Sequence, residues 1–156
     1  MATCFAGILH LRFVAKGSEG NPVKDCMFCQ IVAGTAPCLK IAEDAETVVI
    51  LDVAGDVDGH MLAIPKKHCE SLLDVDEETL AHLMESVRRV ARHCVTHCGY
   101  QGVNLLHASG ASAGQSVPHL YIHIIPRREG DGVDAWPSLP GAATSREAVA
   151  EALRMK

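Results

Sequence analysis

Between Pro118 and Pro126 the chain reads His119-Leu120-Tyr121-Ile122-His123-Ile124-Ile125. On a strand, successive side chains point to opposite faces, so His119, Tyr121 and His123 share one face. Leu120, Ile122 and Ile124 share the other, which suits a core. Prolines bracket the run, as strand ends allow. An imidazole serves as nucleophile, general acid, general base or metal ligand, and a phenol offers one hydroxyl. Three such rings on one face are costly to bury without partners. The small polar stretch Gly114-Gln115-Ser116 directly upstream favours a built site over a half-exposed strand with chance histidines.

Cys26-Met27-Phe28-Cys29 is a C-x₂-C pair whose thiolates reach one tetrahedral ion preferring sulfur and nitrogen ligands. It needs two further ligands. His68, which follows a strand, and His119 are candidates. A Cys₂His₂ zinc site would then cross-link a short helix to two strands. The spacing alone also fits two ordinary buried thiols. A second cluster, His93-Cys94-Val95-Thr96-His97-Cys98, pairs like residues at i,i+4. Its cysteines fall on an apolar helix stripe and its histidines on the outer flank, so core cysteines and solvated histidines are expected.

The elements that must position these residues follow from periodicity. Cys26–Val32 reads as a short helix stopped at Gly34. Leu39–Ile41 is a short strand, and Thr47–Leu51, β-branched and apolar, a buried one. His60–Ile64 is the next strand, Gly102–Leu106 another, and His119–Ile125 the last. Asp74 with Glu77 resembles a capping box. The helix after it carries Leu80, Leu83, Met84, Val87, Val90, Ala91, Cys94 and Val95 on one apolar stripe and ends at Gly99. Ser145–Met155 is a short terminal helix capped by Ser145. Short turns between strands predict an antiparallel α+β sheet.

The chain has 156 residues, enough for one domain with a real core, and 48% are hydrophobic. A net charge of −5 argues against a broad nucleic-acid or anionic-membrane surface. No apolar run is long enough to span a bilayer. Seven cysteines, an odd number, fit a reducing compartment better than a disulfide scaffold. A cytoplasmic location is expected. Residues 1–18 carry only Arg12 and Lys16 as charges, which fits a loose extension or a weak organelle-targeting segment, the former preferred. The expected division is an N-terminal extension over 1–22, one domain over 23–136, and a tail with a short helix over 137–156.

Taken together these blocks resemble the histidine triad (HIT) family of nucleotide hydrolases and transferases, over about residues 24–136. The resemblance rests on Cys-x-Phe-Cys-x-Ile at 26–31, Leu51-Asp52, Gly59-His60 with Ile64-Pro65-Lys66-Lys67-His68, Asn104-Leu105-Leu106, and Gly114-Gln115-Ser116-Val117-x-His119-x-x-x-His123-Ile124-Ile125-Pro126-Arg127. It implies an α+β fold with a five-stranded antiparallel sheet, one long and one short helix, and a homodimer with a continuous ten-stranded sheet. It implies structural zinc on Cys26, Cys29, His68 and His119. It places Asp52 on the ribose hydroxyls, Phe28, Ile31 and Val53 around a purine, and Gly114, Gln115 and Ser116 in the phosphate loop. It makes His60 a support for the triad and His123 a stabiliser of phosphate oxygens and a proton donor to the leaving group.

The departure that matters is Tyr121, which stands where the family's nucleophilic histidine is expected. A phenol with a reference pKa of about 10 is only about 0.1% ionised at pH 7. Its aryl phosphodiester should also hydrolyse far more slowly than the P–N bond of a nucleotidyl-histidine. Ala108-Ser109, where the family often has an asparagine facing the phosphate, removes an amide donor. The sequence therefore points to a purine nucleotide-binding HIT protein, of the class that hydrolyses nucleoside phosphoramidates or dinucleoside polyphosphates at the α-phosphate, with turnover impaired by Tyr121. The alternatives are an active hydrolase using Tyr121 or water directly, an active parent enzyme whose histidine was deliberately replaced by Tyr121, and a zinc-stabilised nucleotide-sensing or scaffold homodimer without catalysis. A zinc-stapled interaction domain with no nucleotide site fits poorly with Asp52 and the Gly-Gln-Ser loop.

Overall fold

The computed structural model describes residues 25–135 and 138–155. Expectations for the 1–22 extension lie outside the described residues. In chain order the elements are α1 (Met27–Val32), β1 (Lys40–Glu43), β2 (Thr47–Leu51), β3 (Met61–Pro65), α2 (Glu77–His97), β4 (Gly102–Leu106), a 3₁₀ turn (Ala111–Ala113), β5 (Ile122–Arg127) and α3 (Arg146–Leu153). The strands form one five-stranded sheet in the order β1-β2-β3-β5-β4, and every neighbouring pair is antiparallel. This is the expected α+β architecture. The tail contributes the third helix, α3, which is capped by Ser145 and has no buried residue. None of the described helices is long and apolar enough to cross a membrane.

Strands β2 and β3 alternate between two cores. On one face Val49, Ala63, Leu120, Ile122 and Ile124 pack against Leu83, Val87, Val90 and Cys94 of α2. On the other, Val48, Ile50, Leu62 and Ile64 pack against Cys26, Phe28 and Ile31 around α1, with Tyr121 among them. The sheet is therefore covered on both faces in its middle, which explains why β2 and β3 read as continuous apolar runs. The apolar stripe of α2 is narrower than its sequence suggests: Met84, Val95 and Cys98 are exposed.

Two local expectations are corrected. Asp76, not Asp74, caps α2, its carboxylate accepting from the Thr79 N–H. Asp74 instead accepts from the Glu70 and Ser71 N–H groups and closes the preceding turn. The strand expected from His119 starts at Ile122. The β3–β5 register runs only from Met61↔Ile124 to Ala63↔Ile122. Beyond it β3 reaches Pro65, which has no N–H for a ladder, and Leu120 donates to the Cys69 carbonyl instead. The side-chain alternation nevertheless persists from 119 to 125, because Leu120 and Tyr121 still fall into opposite cores.

The β1–β2 turn is tied to α2 through Asp44. Its carboxylate accepts from the Glu46 and Thr47 N–H groups, the Ser86 hydroxyl and the Arg89 guanidinium. Burial pushes this carboxyl's pKa up, but Ser86, Arg89 and the two backbone donors outweigh that and hold it well below the usual carboxylate range. Asp44→Ala is expected to cost about 1–3 kcal/mol at pH 7, since buried donors lose their acceptor. Because the folded pKa is depressed, the contribution is complete above the unfolded value near 3.8 and is lost as pH falls below it. Urea melts of both chains at pH 7 and pH 3 check this: the gap should narrow in acid.

Candidate active site and metal centre

His119, completely buried, anchors the first of two clusters. Its Nε2–H donates to the Pro65 carbonyl at 2.9 Å. That bond fixes the tautomer and leaves the Nδ1 lone pair facing the thiols, 3.4 Å from Cys26 Sγ and 3.6 Å from Cys29 Sγ. His68 Nδ1 lies 3.2 Å from Cys29 Sγ, and the four donor atoms all fall within 4.8 Å of one another. With Zn–S near 2.3 Å and Zn–N near 2.05 Å, a tetrahedron has S···N edges of about 3.5 Å. The donor set and its spacing therefore fit a four-coordinate ion. The electrostatics agree: burial, then the neighbouring Cys26, pushes the Cys29 thiol up to about 11, and burial lowers the His119 imidazole. A neutral His119 is the ligating form. Thiols that resist ionisation alone are those that a cation deprotonates on binding.

Three strands of the sheet carry a second cluster. Asp52 directly follows β2, His60 precedes β3, and His123 lies on β5, three adjacent strands of the sheet. The Asp52 N–H donates to the His60 carbonyl at 2.8 Å, and His123 pairs with Leu62. His60 Nε2 is 2.8 Å from His123 Nδ1 and 3.5 Å from Asp52 Oδ2. Burial, and then the facing His60, lowers the His123 pKa. The glycine before His60 is required: Gly59 has φ +83°, and a Cβ there would sit 2.8 Å from the Tyr100 hydroxyl.

Tyr121 lies between the clusters, only 7% exposed. Its ring stands edge-on to Phe28 at 5.1 Å and to His123 at 5.0 Å, and its hydroxyl shares a 3.0 Å hydrogen bond with Ser116. Phe28 and Ile31 are buried in the same core, whereas Val53 stands 98% exposed outside it. Gly114 takes a left-handed backbone, φ +88°. The Gln115 amide is engaged with the loop itself, donating to the Glu70 and Val117 carbonyls and accepting from the Gly110 N–H. A cleft of about 270 Å³ adjoins this loop, lined by Glu70, Ser71, Gly110, Gln115, Ser116 and Pro118 among others.

Two residues escaped sequence reasoning. His107 holds the Tyr121 carbonyl through Nδ1–H at 2.8 Å, and its Nε2 takes the Ser109 hydroxyl. Asp56 accepts from His60 Nδ1–H at 2.7 Å. The Asp56-x-x-x-His60 spacing is the only hint of the second pair, and it lies in a loop where spacing does not imply contact. On α2, His93 and His97 stack on each other at the exposed face, as expected, and Cys94 is buried, but Cys98, expected in the core, is exposed.

Residues 33–130 match the model of the HIT domain. An adenosine 5'-monophosphoramidase of Schizosaccharomyces pombe is 36% identical over 134 residues, 84% of this chain and 97% of that protein. An adenylylsulfatase of Arabidopsis thaliana is 41% identical over 115 residues, 74% of this chain and 58% of that protein. Among solved structures, a Zn-bound histidine triad family protein from Mycobacterium smegmatis is 37% identical with a TM-score of 0.68, covering 72% of this chain and 82% of the other. A HIT family member from Bacillus subtilis is 33% identical with a TM-score of 0.70, covering 85% and 99%.

Proposed function

This chain belongs to the HIT domain family, and on that premise we propose that it binds a purine nucleoside monophosphate unit and is a nucleotide hydrolase of slow turnover. The substrate class is nucleoside phosphoramidates or dinucleoside polyphosphates, cut at the α-phosphate. Residues 23–136 form the working unit. One observation carries the reading. Ser116, Tyr121, His123 and Asp52 follow one another, with a 3.0 Å bond between hydroxyls, rings 5.0 Å apart edge to face, and 4.0 Å from His123 Nδ1 to Asp52 Oδ2. A mononucleotide laid along them meets phosphate donors at one end and a ribose acceptor at the other.

The roles follow from chemistry. Asp52 Oδ1 is held by the Ala54 N–H at 3.0 Å, so Oδ2 remains to accept from ribose hydroxyls. Phe28 and Ile31 supply the apolar wall and Val53 the exposed lip for the base. Gly114 and Ser116 face the phosphate through backbone and hydroxyl, Gln115 keeps their loop in shape, and the adjoining cleft takes the leaving group. His123 stabilises phosphoryl oxygens and protonates the departing amine, with His60 behind it. Tyr121 occupies the nucleophile's position. Zinc is the ion that Cys26, Cys29, His68 and His119 would hold. It would serve as a structural cross-link between α1, the segment after β3 and the entry to β5.

The relatives' names support the substrate class, since one is a monophosphoramidase and another an adenylylsulfatase. A nucleotide-sensing homodimer without catalysis is the second reading, favoured by the burial of Tyr121 and its bond to Ser116. Strand β4 is a sheet edge, with Leu105 and Val95 beside it more than two-fifths exposed, which suits pairing into a ten-stranded sheet. Calorimetric titration with AMP and GMP tests the site. We expect binding in the chain as it stands and at least tenfold weaker binding in Asp52→Ala, which loses both ribose bonds. An absence of binding at millimolar nucleotide would overturn the proposal.

A further inference from the structure

The cluster of Asp52, His60 and His123 does more than line a nucleotide site. The geometry points to a second metal-binding site on these three residues, free of thiolate, for a borderline divalent transition ion such as Co²⁺, Ni²⁺ or Zn²⁺. Its donor atoms are Asp52 Oδ2, His60 Nε2 and His123 Nδ1, which lie 2.8, 3.5 and 4.0 Å apart. Donors about 2.1 Å from one ion are separated by about 3.0 Å on a shared octahedral face and about 3.4 Å in a tetrahedron. The triangle therefore closes on an ion with shifts of less than about an ångström. Two imidazoles and one carboxylate leave open positions for water.

Three features distinguish this from a chance meeting of polar groups. The His60 ring is fixed from behind, because Asp56 can only accept and so takes the Nδ1–H at 2.7 Å. The Nε2 lone pair of the neutral ring is thereby aimed into the cluster, the carboxylate–imidazole arrangement that supports metal ligands. Asp52 is oriented likewise, its other oxygen held by the Ala54 N–H. Finally, the residues come from the same level of three adjacent strands, where Leu51 pairs with Met61 and Leu62 with His123, so the triangle is held by a rigid sheet.

Loading the site needs no net loss of protons. With His60 neutral, the hydrogen bond between the rings is His123 Nδ1–H donating to His60 Nε2. Moving that proton to His123 Nε2 by tautomerisation frees both lone pairs for the ion. Asp52 offers its Oδ2 as the third donor. The carboxylate facing the ion would be Asp52, with Asp56 behind the His60 ring, and His107 and Tyr121 stand nearby. The two carboxylates favour a dication. Because the proposed function assigns Asp52 to the ribose, the metal and the nucleotide should exclude each other.

The test uses the full chain, first loaded with one equivalent of zinc at the thiolate centre and then titrated with Co²⁺. We expect one further equivalent to bind. It should show visible d–d bands without the intense near-ultraviolet charge transfer that a thiolate ligand gives. His60→Gln should abolish this binding, and Asp56→Asn should weaken it about 10–100-fold. Retention of the first zinc equivalent shows that each variant is folded. A His93→Gln, His97→Gln double variant should bind the second equivalent unchanged. Absence of a second equivalent, or its loss in that double variant but not in His60→Gln, would overturn the proposal. AMP should raise the apparent Co²⁺ dissociation constant at least tenfold. If AMP fails to bind the zinc-loaded chain while the second Co²⁺ still does, the nucleotide reading falls and the metal site stands.

Discussion

Cys29→Ser is expected to lower the thermal midpoint of the zinc-loaded protein by roughly 10–15 °C. Zinc held by small folded peptides contributes about 10–16 kcal/mol in apparent terms. Here a two-faced sheet core survives without it, so the loss from one ligand is smaller, about 3–5 kcal/mol, and each kcal/mol moves the midpoint of a chain this size by about 3 °C. The effect exceeds that of an ordinary buried thiol because of what the centre joins. Cys26 and Cys29 lie at α1, His68 after β3, and His119 in the unpaired stretch before β5. That stretch has few ladder bonds of its own. It is held by Leu120 on the Cys69 carbonyl and His119 on the Pro65 carbonyl. Losing the cross-link frees α1 and loosens the backbone that presents Tyr121. A chelator should bring the unsubstituted chain to the same midpoint and leave the variant unmoved. Equal midpoints for all three samples would show that the thiols are merely packed.

That stretch also marks how far the sequence could be read. The alternation from His119 to Ile125 placed the right side chains on the right faces, because side-chain period follows from extended backbone whether or not a ladder forms. It could not place the start of β5, since that depends on where the partner strand runs out of donors, at Pro65, more than fifty residues away. The five strands and the long helix were legible for the same local reason: apolar residues at period 2 or 3.6 and glycines at the breaks. The helix cap was ambiguous, because Asp74 and Asp76 are both acceptors within reach, and only the backbone decides which N–H each receives. The four candidate metal donors were legible because cysteine and histidine are chemically distinctive. Asp56 and His107 were not. Each makes its bond from a loop whose path is set by tertiary packing, and neither residue type in isolation announces a partner. Val53 illustrates the converse limit, an apolar residue expected against a base that stands in solvent.

Tyr121→His is expected to raise kcat/KM for a nucleoside phosphoramidate by on the order of 10³-fold. The phenol obstructs the proposed reaction in two ways. Its hydroxyl is bonded to Ser116 Oγ at 3.0 Å, so the two groups satisfy each other where a phosphoryl oxygen should take the Ser116 donor. A phenol, with a reference pKa of about 10, is also a weak nucleophile near neutral pH, and the ester it would form leaves poorly. An imidazole is shorter, retains an edge toward Phe28 and frees Ser116. Its unprotonated nitrogen would attack phosphorus, forming a P–N bond as the bond to the leaving amine breaks. His123 would supply the amine's proton, and water would then cleave the new P–N bond and regenerate the imidazole. The loss of the larger ring from the core around Phe28 should cost about 1 kcal/mol, too little to unfold the chain. A single-turnover assay with quenched-flow detection would reveal the nucleotidyl intermediate in the variant and none in the parent. Tyr121→Phe gives the decisive contrast. If it abolishes a substantial parent activity, and the histidine variant is no faster, then the tyrosine is itself the nucleophile. If the parent's slow turnover survives in Tyr121→Phe, water attacks directly and the phenol is only an obstruction.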